Sequence, residues 1–238
     1  QGVRGMRKEP GEFRRSQNWW GGTNPQNAAF VPPPPHEIPR LMGDLEKLAN
    51  DEYNPLPELL RIALIHYQFE TIHPFQDGNG RIGRLMVPLY LLSQGIIRQP
   101  VLYLSAYLER HRLLYYDKLT YVRERGDLLG WYLFFLDGII ETAKDGVMTF
   151  QRIIALEKAL PKRLGTLGSR AAKAQLILQE LFRNPIIDAA SVQRVIGSTH
   201  RTAYRLLADL EDLNILKQIP SAGRARLYAF QDYLDLFS

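Results

Sequence analysis

The sequence has no cysteine, no long apolar run and only a small excess of positive charge. Zero cysteines among 238 residues exclude disulfides, iron–sulfur clusters and cysteine–zinc sites. The longest apolar segment, 85–92, is far shorter than the ~20 residues that span a bilayer, and no secretory segment opens the chain. We therefore expect no membrane contact and a cytoplasmic location. The formal net charge of +5 is a mild bias towards anionic partners.

The first 35 residues are rich in glycine, proline and asparagine, with aromatic residues between the turn signals. This composition is typical of a hairpin or a long ordered loop. From His36 to about Pro161 apolar residues recur at helical spacing, and three of the helices predicted there are 104–125, 128–143 and 148–160. Residues 161–169 are polar and contain two glycines, so we expect a linker there.

The remaining residues, 170–238, predict a second domain. Helices are expected at 171–183, 189–196 and 200–213, followed by a hairpin formed by 215–219 and 226–230. Three helices, a glycine turn before the third and a basic hairpin are typical of a winged helix-turn-helix. The predicted fold class is therefore mainly α: a helical bundle over 1–160 with a small N-terminal β-hairpin, then the winged helix domain.

The densest group of chemically capable side chains lies between His73 and Arg84. Asp77-Gly78-Asn79-Gly80 leads into an apolar helix, where glycine-rich backbone and a helix N-terminus favour anions. Arg81 and Arg84 are three residues apart on that helix, so both side chains can reach its N-terminal end. Guanidinium groups placed there bind phosphate oxygens.

Two further residue types complete this group. The Asp77 carboxylate suits a Mg²⁺ that bridges phosphates, and His73 is the group whose ordinary pKa lets it accept a hydroxyl proton near pH 7. A glycine turn alone is weak evidence, and no Walker A motif is present. The co-occurrence of these residue types predicts a functional site with a phosphate cradle, a metal carboxylate and a base rather than an ordinary turn.

The segment also resembles a known family, because it matches the Fic motif HPFx[DE]GNGRxxR at every defined position. Residues 14–35 are similar to the flap hairpin of that family, here placed at about 10–35, with its proline exit, and Arg112, Tyr115 and Tyr116 fit a family block. The resemblance covers residues 1 to about 160. It implies a Fic-type helical bundle, and the C-terminal module is similar to one appended to bacterial members.

The resemblance implies a protein adenylyltransferase that moves AMP from ATP to a Ser, Thr or Tyr hydroxyl of a target protein, with Mg²⁺; the chain itself is one candidate target. It implies His73 as the catalytic base, Asp77 as the metal ligand, and a flap that docks the target through Trp20, Gly21 and Gly22. The residues it implies for nucleotide and phosphate binding are Phe75, Gln76, Asp77, Gly78, Asn79, Gly80, Arg81, Arg84 and His111. His111 replaces an asparagine frequent in the family.

Several alternatives stay open at this point. An intact Gly-Asn-Gly block favours AMP transfer over the other chemistries of the superfamily, but removal of AMP and other nucleotidyl transfers remain alternatives. No inhibitory [ST]xxxE[GN] helix occurs, and since the chain starts at Gln1 such a helix is a candidate upstream segment. A homodimer is expected from the resemblance alone.

The C-terminal module raises a second class of function, a nucleotide-sensing DNA-binding regulator. Its candidate DNA contacts are His200, Arg201, Arg205, Arg224 and Arg226. However, nine Lys/Arg against seven Asp/Glu over 170–238 leave a net charge of only +2, which is small for counterion-driven affinity. DNA and a protein surface are both open as partners of this module.

Overall fold

A computed structural model of the chain describes residues 11–99, 102–221, 223 and 225–237. It is mainly helical, and its contacts divide the chain into unit 1, residues 1–144, and unit 2, residues 145–238. Within the described residues, no helix is both long and apolar enough to cross a membrane. The helices are α1 (Ile38–Asn50), α2 (Glu58–Ile72), α3 (Asn79–Ser93), α4 (Leu104–Arg110), α5 (Arg112–Arg125), α6 (Leu128–Leu164), α7 (Ala171–Leu181), α8 (Ala189–Ile196), α9 (His200–Asp212) and α10 (Gln231–Leu234).

Unit 1 is built around α2, which packs against α1 on one side and α3 on the other. Nine residues of α2 are buried, so this helix is covered by the rest of the protein over most of its circumference. Trp131 of α6 is fully buried and donates its indole N–H to the carbonyl oxygen of Ala63 at 2.9 Å. This central position of α2 matters because the chain that leaves its C-terminal end carries the candidate active-site residues.

Unit 2 contains a small antiparallel sheet of three strands, β1 (Ile186–Asp188), β2 (Lys217–Ile219) and β3 (Leu227–Ala229), in the order β1-β3-β2. Helices α7, α8 and α9 bury an apolar cluster with Tyr228 and Phe230. Asp188 begins α8 by accepting the Ser191 N–H, and Gly197 ends it in the left-handed region. The sequence predicted these three helices and the pairing of β2 with β3, but not β1.

Three helix boundaries in the middle of the chain differ from the sequence predictions. The helix expected over 104–125 is interrupted at His111, which lies between α4 and α5. The two helices expected over 128–143 and 148–160 are one helix, because Gly146 in a helix interior costs only about 1 kcal/mol. Residues 161–164, expected in a linker, complete α6, and Gly165–Arg170 form 3-10 turns on either side of a kink at Gly168, whose φ is 58°. The domain bounds themselves stay a prediction.

Candidate active site

His73 directly follows α2 and has a left-handed backbone, with φ 49° and ψ 61°. Its N–H still donates to the Phe69 carbonyl at 2.9 Å, so it closes the last turn of the helix. Pro74 prevents the helix from continuing. A left-handed conformation costs a non-glycine residue ~1–2 kcal/mol, so neighbouring contacts must hold His73 in place.

The imidazole of His73 is half-buried and makes a T-shaped contact with the Trp20 ring, with the ring centroids 3.8 Å apart. The backbone of Glu70 lies close to the imidazole, but among the described residues the buried Nδ1 of His73 has no hydrogen bond of regular geometry. Burial, with the nearby charge of Arg14 as the second cause, lowers the pKa of His73 to about 3. The imidazole is therefore neutral at pH 7, the protonation state that a proton acceptor requires.

The loop after His73 is fixed by Phe75 and Asn79. The Phe75 ring packs against Phe13 and Phe69, with centroids 5.7 and 6.3 Å apart. The buried amide of Asn79 accepts the Phe75 N–H at 2.8 Å and donates to the Phe75 carbonyl at 2.7 Å. Because both ends of this amide bind the Phe75 backbone, the side chain of Asn79 braces the loop, and its predicted phosphate contact would come from the backbone.

Helix α3 begins immediately after this loop, with Gly78 as its N-cap at φ 84°. Glycine adopts this backbone without steric cost, and the Gly78 N–H donates to Oδ1 of Asp77 at 2.7 Å. The first N–H groups of a helix have no partner within the helix and carry partial positive charge. The segment from Gly78 to Arg81 therefore forms a cradle suited to an anion.

Arg81 and Arg84 lie in the first two turns of α3, Arg81 exposed and Arg84 half-buried. Nη1 of Arg84 and Oε1 of Glu70 lie 3.2 and 3.9 Å from the point where a Cβ on Gly80 would be. Within the described part of the chain, the buried Oε1 of Glu70 has no hydrogen-bond partner. Burial raises the pKa of Glu70 to about 7, although Arg84 and Arg123 oppose the rise.

The loop between α2 and α3 carries the motif that resembles the Fic family, and the comparison with protein families finds a match to the same family. Residues 2–91 match the model of the Fic/DOC family. This match covers the loop, both flanking helices up to Leu91 and the segment that precedes them. The match therefore includes the whole segment from His73 to Arg84.

Similar proteins include several named protein adenylyltransferase Fic. The one from Culex quinquefasciatus is 37% identical over 130 residues, which cover 54% of this chain and 23% of the relative. The one from Drosophila willistoni is 42% identical over 88 residues, 37% of this chain and 16% of the relative. The chain thus spans less than a quarter of the length of these relatives.

A solved structure also shares the fold. The crystal structure of a Fic family protein from Desulfovibrio desulfuricans G20 superposes with a TM-score of 0.53 at 23% sequence identity. The superposition covers 95% of this chain and 64% of that one. The mainly helical architecture with a small sheet is thus that of a Fic fold.

The predicted flap precedes α1, and its Trp20 ring contacts the imidazole of His73. Trp20 and Phe30 form one antiparallel bridge and stack with ring centroids 5.7 Å apart, so the hairpin of the prediction is reduced to a single bridge. Gly21 and Gly22, both with positive φ, follow Trp20, and Pro25–Asn27 form a 3-10 turn. The guanidinium of Arg123 lies 3.7 Å over the Phe30 ring, which ties the flap to α5.

Two residues of the predicted nucleotide site have other neighbours. Gln76 is exposed, and its Oε1 accepts the Ser16 hydroxyl at 3.1 Å. His111 is half-buried between α4 and α5, and its ring lies 4.5 Å from that of Tyr107. Neither contact joins these side chains to the cradle, so their nucleotide contacts stay a prediction.

The candidate DNA contacts lie on unit 2. His200, Arg201 and Arg205 are exposed on α9, opposite its buried leucine residues, and Arg226 is exposed before β3. Arg224 lies outside the described residues. Asp209, one of the acidic residues on α9, pairs with Arg170 through two hydrogen bonds of 2.6 and 3.1 Å.

Sequence reasoning missed three charged residues around His73, namely Arg14, Glu70 and Arg123. Arg14 is remote in sequence and its segment shows no periodicity, so no local signal points to it. Glu70 lies three residues before His73 on α2, and a carboxylate at that spacing was a usable signal. Arg123 reaches the site only through the packing of α5, which no sequence pattern reveals.

Proposed function

We propose that this chain is a protein adenylyltransferase that moves AMP from ATP to a Ser, Thr or Tyr hydroxyl of a protein, itself included. The observation that carries this proposal is the position of His73, at the end of α2 and in the same loop as the cradle formed by Gly78, Gly80 and the start of α3. The names of the Culex and Drosophila relatives support the same activity.

In the proposed reaction, His73 accepts the proton of the attacking hydroxyl. The hydroxyl oxygen forms a bond to the α-phosphorus, the bond from that phosphorus to the bridging oxygen breaks, and pyrophosphate leaves with its electron pair. Arg81 and Arg84 bind the outer phosphates and stabilise the charge that develops on pyrophosphate. Trp20, Gly21 and Gly22 hold the target segment by strand-like backbone pairing.

The donor set fits a magnesium ion that arrives with the nucleotide. Among the described residues, no group of three or more His, Asp or Glu side chains lies close enough to hold a metal by itself. Mg²⁺ characteristically binds through one or two carboxylates together with substrate phosphates and water. Asp77, exposed at the mouth of the cradle, would be that carboxylate. Bound there, the ion would neutralise phosphate charge.

Labelling with radioactive ATP tests this proposal. We expect transfer of label from [α-³²P]ATP with Mg²⁺ to the chain or to a lysate protein, and none from [γ-³²P]ATP, because AMP and not phosphate moves. His73→Ala should lower the rate by about 10²–10⁴-fold, the usual contribution of general-base catalysis. His36→Ala is the matched control, since His36 is exposed and pairs only with Glu37 among the described residues.

The same assay separates the alternatives. Equal labelling by the wild type and His73→Ala would contradict the adenylyltransferase proposal. Stronger labelling from GTP, CTP or UTP would indicate another nucleotidyl transfer, and loss of AMP from a labelled protein would indicate the reverse reaction.

Unit 2 supports a second proposed function, binding of duplex DNA by a winged helix-turn-helix. The order of α7, α8 and α9 with the β2–β3 hairpin fits that module, and α9 would be its recognition helix. The ion pair of Asp209 with Arg170 neutralises one of the negative charges on α9, which reduces the repulsion of DNA phosphates by that helix.

Fluorescence anisotropy with a labelled duplex checks this function. We expect Arg201→Ala with Arg205→Ala to weaken binding and to reduce the dependence of log K on log[salt] by about 0.9 for each phosphate that the variant no longer neutralises. Lys158→Ala, an exposed residue of α6, is the control. Binding that does not depend on salt, or equal binding by the double variant, would favour a protein partner for this surface.

A further inference from the structure

Arg14 is a buried guanidinium whose described hydrogen bonds all end on backbone carbonyl oxygens. Its side chain is 3% exposed. Nε donates to His73 at 2.9 Å, Nη1 donates to Ser16 at 3.2 Å, and Nη2 donates to Pro33 and, at 3.4 Å, to Ile72. The Arg14 N–H adds a fifth bond, to the Pro74 carbonyl at 2.8 Å. No ion pair to a carboxylate accompanies these bonds among the described residues.

The position of Arg14 explains why a buried cation is tolerated without a carboxylate. Ile72 is the last residue of α2 and His73 follows it, so their carbonyls belong to the negative end of the helix dipole. A guanidinium has five donors in a rigid plane and can serve several carbonyls at once, whereas an ammonium presents its donors from one point. The site is therefore specific for arginine.

These bonds join the two ends of the flap to the turn that follows α2. Ser16 and Pro33 lie at the two ends of the flap, and Ile72, His73 and Pro74 form the turn that leaves α2. The flap in turn places Trp20 against the imidazole. One side chain thus connects both ends of the flap to the turn whose left-handed residue needs external support.

We propose that Arg14 is a positioning residue of the active site, which holds the His73 backbone in its left-handed conformation and fixes the flap over the imidazole. The kinetic part of this inference rests on the proposed adenylyltransferase function, whereas the structural part does not. Arg14 also contributes charge. With Arg123 it lowers the pKa of His73 beyond the effect of burial, while Asp77 and the Glu70 backbone raise it.

Hydrogen exchange measured by mass spectrometry tests the positioning role of Arg14 and does not require an activity assay. We expect Arg14→Met and Arg14→Lys to speed exchange about tenfold in peptides covering 16–33 and 70–77, because the charged hydrogen bonds to both segments are removed. Exchange in α7, α8 and α9 should not change. Arg40→Met, which removes only surface ion pairs with Glu37 and Asp44, is the matched control. Unchanged exchange at 70–77, or an equal rise along the whole chain, would overturn the proposal.

Kinetics test the consequence for the reaction. We expect both Arg14 variants to lower the labelling rate at saturating ATP by about 10²-fold, the usual effect of misplacing a catalytic group by ~1 Å. The dissociation constant of ATP should stay within about threefold, because no described hydrogen bond of Arg14 reaches residues 76–84. A parallel loss of ATP affinity, or a normal rate in Arg14→Lys, would refute the positioning role. If the wild type transfers no label, the proposed function fails and the exchange experiment still decides the role of Arg14.

Discussion

At the scale of single residues, His66 within α2 and His73 at the C-terminal end of that helix have different surroundings. His66 is completely buried, with Nδ1 3.0 Å from the Gly83 carbonyl and Nε2 3.1 Å from the Tyr115 hydroxyl. Since a carbonyl only accepts, Nδ1 carries the proton and Nε2 accepts the hydroxyl of Tyr115. Burial lowers the pKa of His66 to about 4. Both ring nitrogens are occupied, so His66 links α2 to α3 and α5, and His73 is left as the candidate base.

The environment of Glu70 leads to a prediction that can be measured. A carboxyl group whose folded pKa is about 7, against an ordinary value of 4.5, binds its proton more tightly in the folded state. The contribution of Glu70 to the free energy of unfolding is therefore largest below about pH 4.5. This contribution falls as pH rises from about 4.5 to 7.

We expect Glu70→Gln to be about as stable as the wild type at pH 5 and more stable at pH 8, by at most about 3 kcal/mol. Gln keeps the shape of the side chain and removes the buried charge. Urea unfolding at both pH values measures the difference. Glu109→Gln, on an exposed residue of α4, should show no such trend, and an equal pH dependence for wild type and Glu70→Gln would refute the assignment.

At the scale of elements, the contact between α2 and α3 depends on a glycine. A Cβ on Gly83 would lie 2.5 Å from Oε1 of Glu70, 3.2 Å from the Phe69 ring and 3.4 Å from the His66 ring. Two helices approach this closely only where one of them has no side chain. The same approach brings Arg84 and the cradle next to the turn at His73, so packing here sets the geometry of the candidate site.

We expect Gly83→Ala to lower the free energy of unfolding by about 1–3 kcal/mol, the usual cost of overpacking a core. Gly43→Ala is the opposing control, because nothing lies within 4 Å of the added Cβ in α1. That change should raise stability by about 1 kcal/mol through helix propensity. Thermal unfolding followed by circular dichroism compares the two, and a shift of the same sign in both variants would contradict this account of the α2–α3 contact.

At the scale of the whole molecule, two separate apolar clusters correspond to the two units. One contains the buried residues of α1 to α5 with Trp131 and Phe135, and the other contains Leu160, Leu164 and the buried residues of α7 to α9. Helix α6 contributes to both clusters. A ligand that binds only one unit should stabilise that unit alone.

We expect Leu206→Ala to destabilise unit 2 by about 2–5 kcal/mol, since the side chain is fully buried, and to leave the dissociation constant of ATP within about twofold. Calorimetry with and without MgATP should show the ligand shifting only the transition of unit 1. Leu213→Ala, a half-buried residue beside the same cluster, should have a smaller effect. Loss of ATP binding in Leu206→Ala would show that the units are energetically coupled.

The sequence by itself determined the local features of this protein. The motif from His73 to Arg84 identified the candidate site, since each of its roles depends on residue types close together in the chain. Apolar spacing and caps placed α7, α8 and α9 within two residues of their ends, because a helix is stabilised largely by neighbours three and four positions away. The roles of the site residues, the winged helix, the homodimer and the cytoplasmic location stay predictions.

Only the tertiary structure decided which distant residues surround His73. Arg14 is 59 positions from it, and α5 brings Arg123 to Phe30 of the flap. The single bridge of the flap, β1 beside β3, and the buried Glu70 near Arg84 also follow from packing. Such contacts depend on which surfaces meet after the helices have formed, and the order of residues along the chain does not encode them locally.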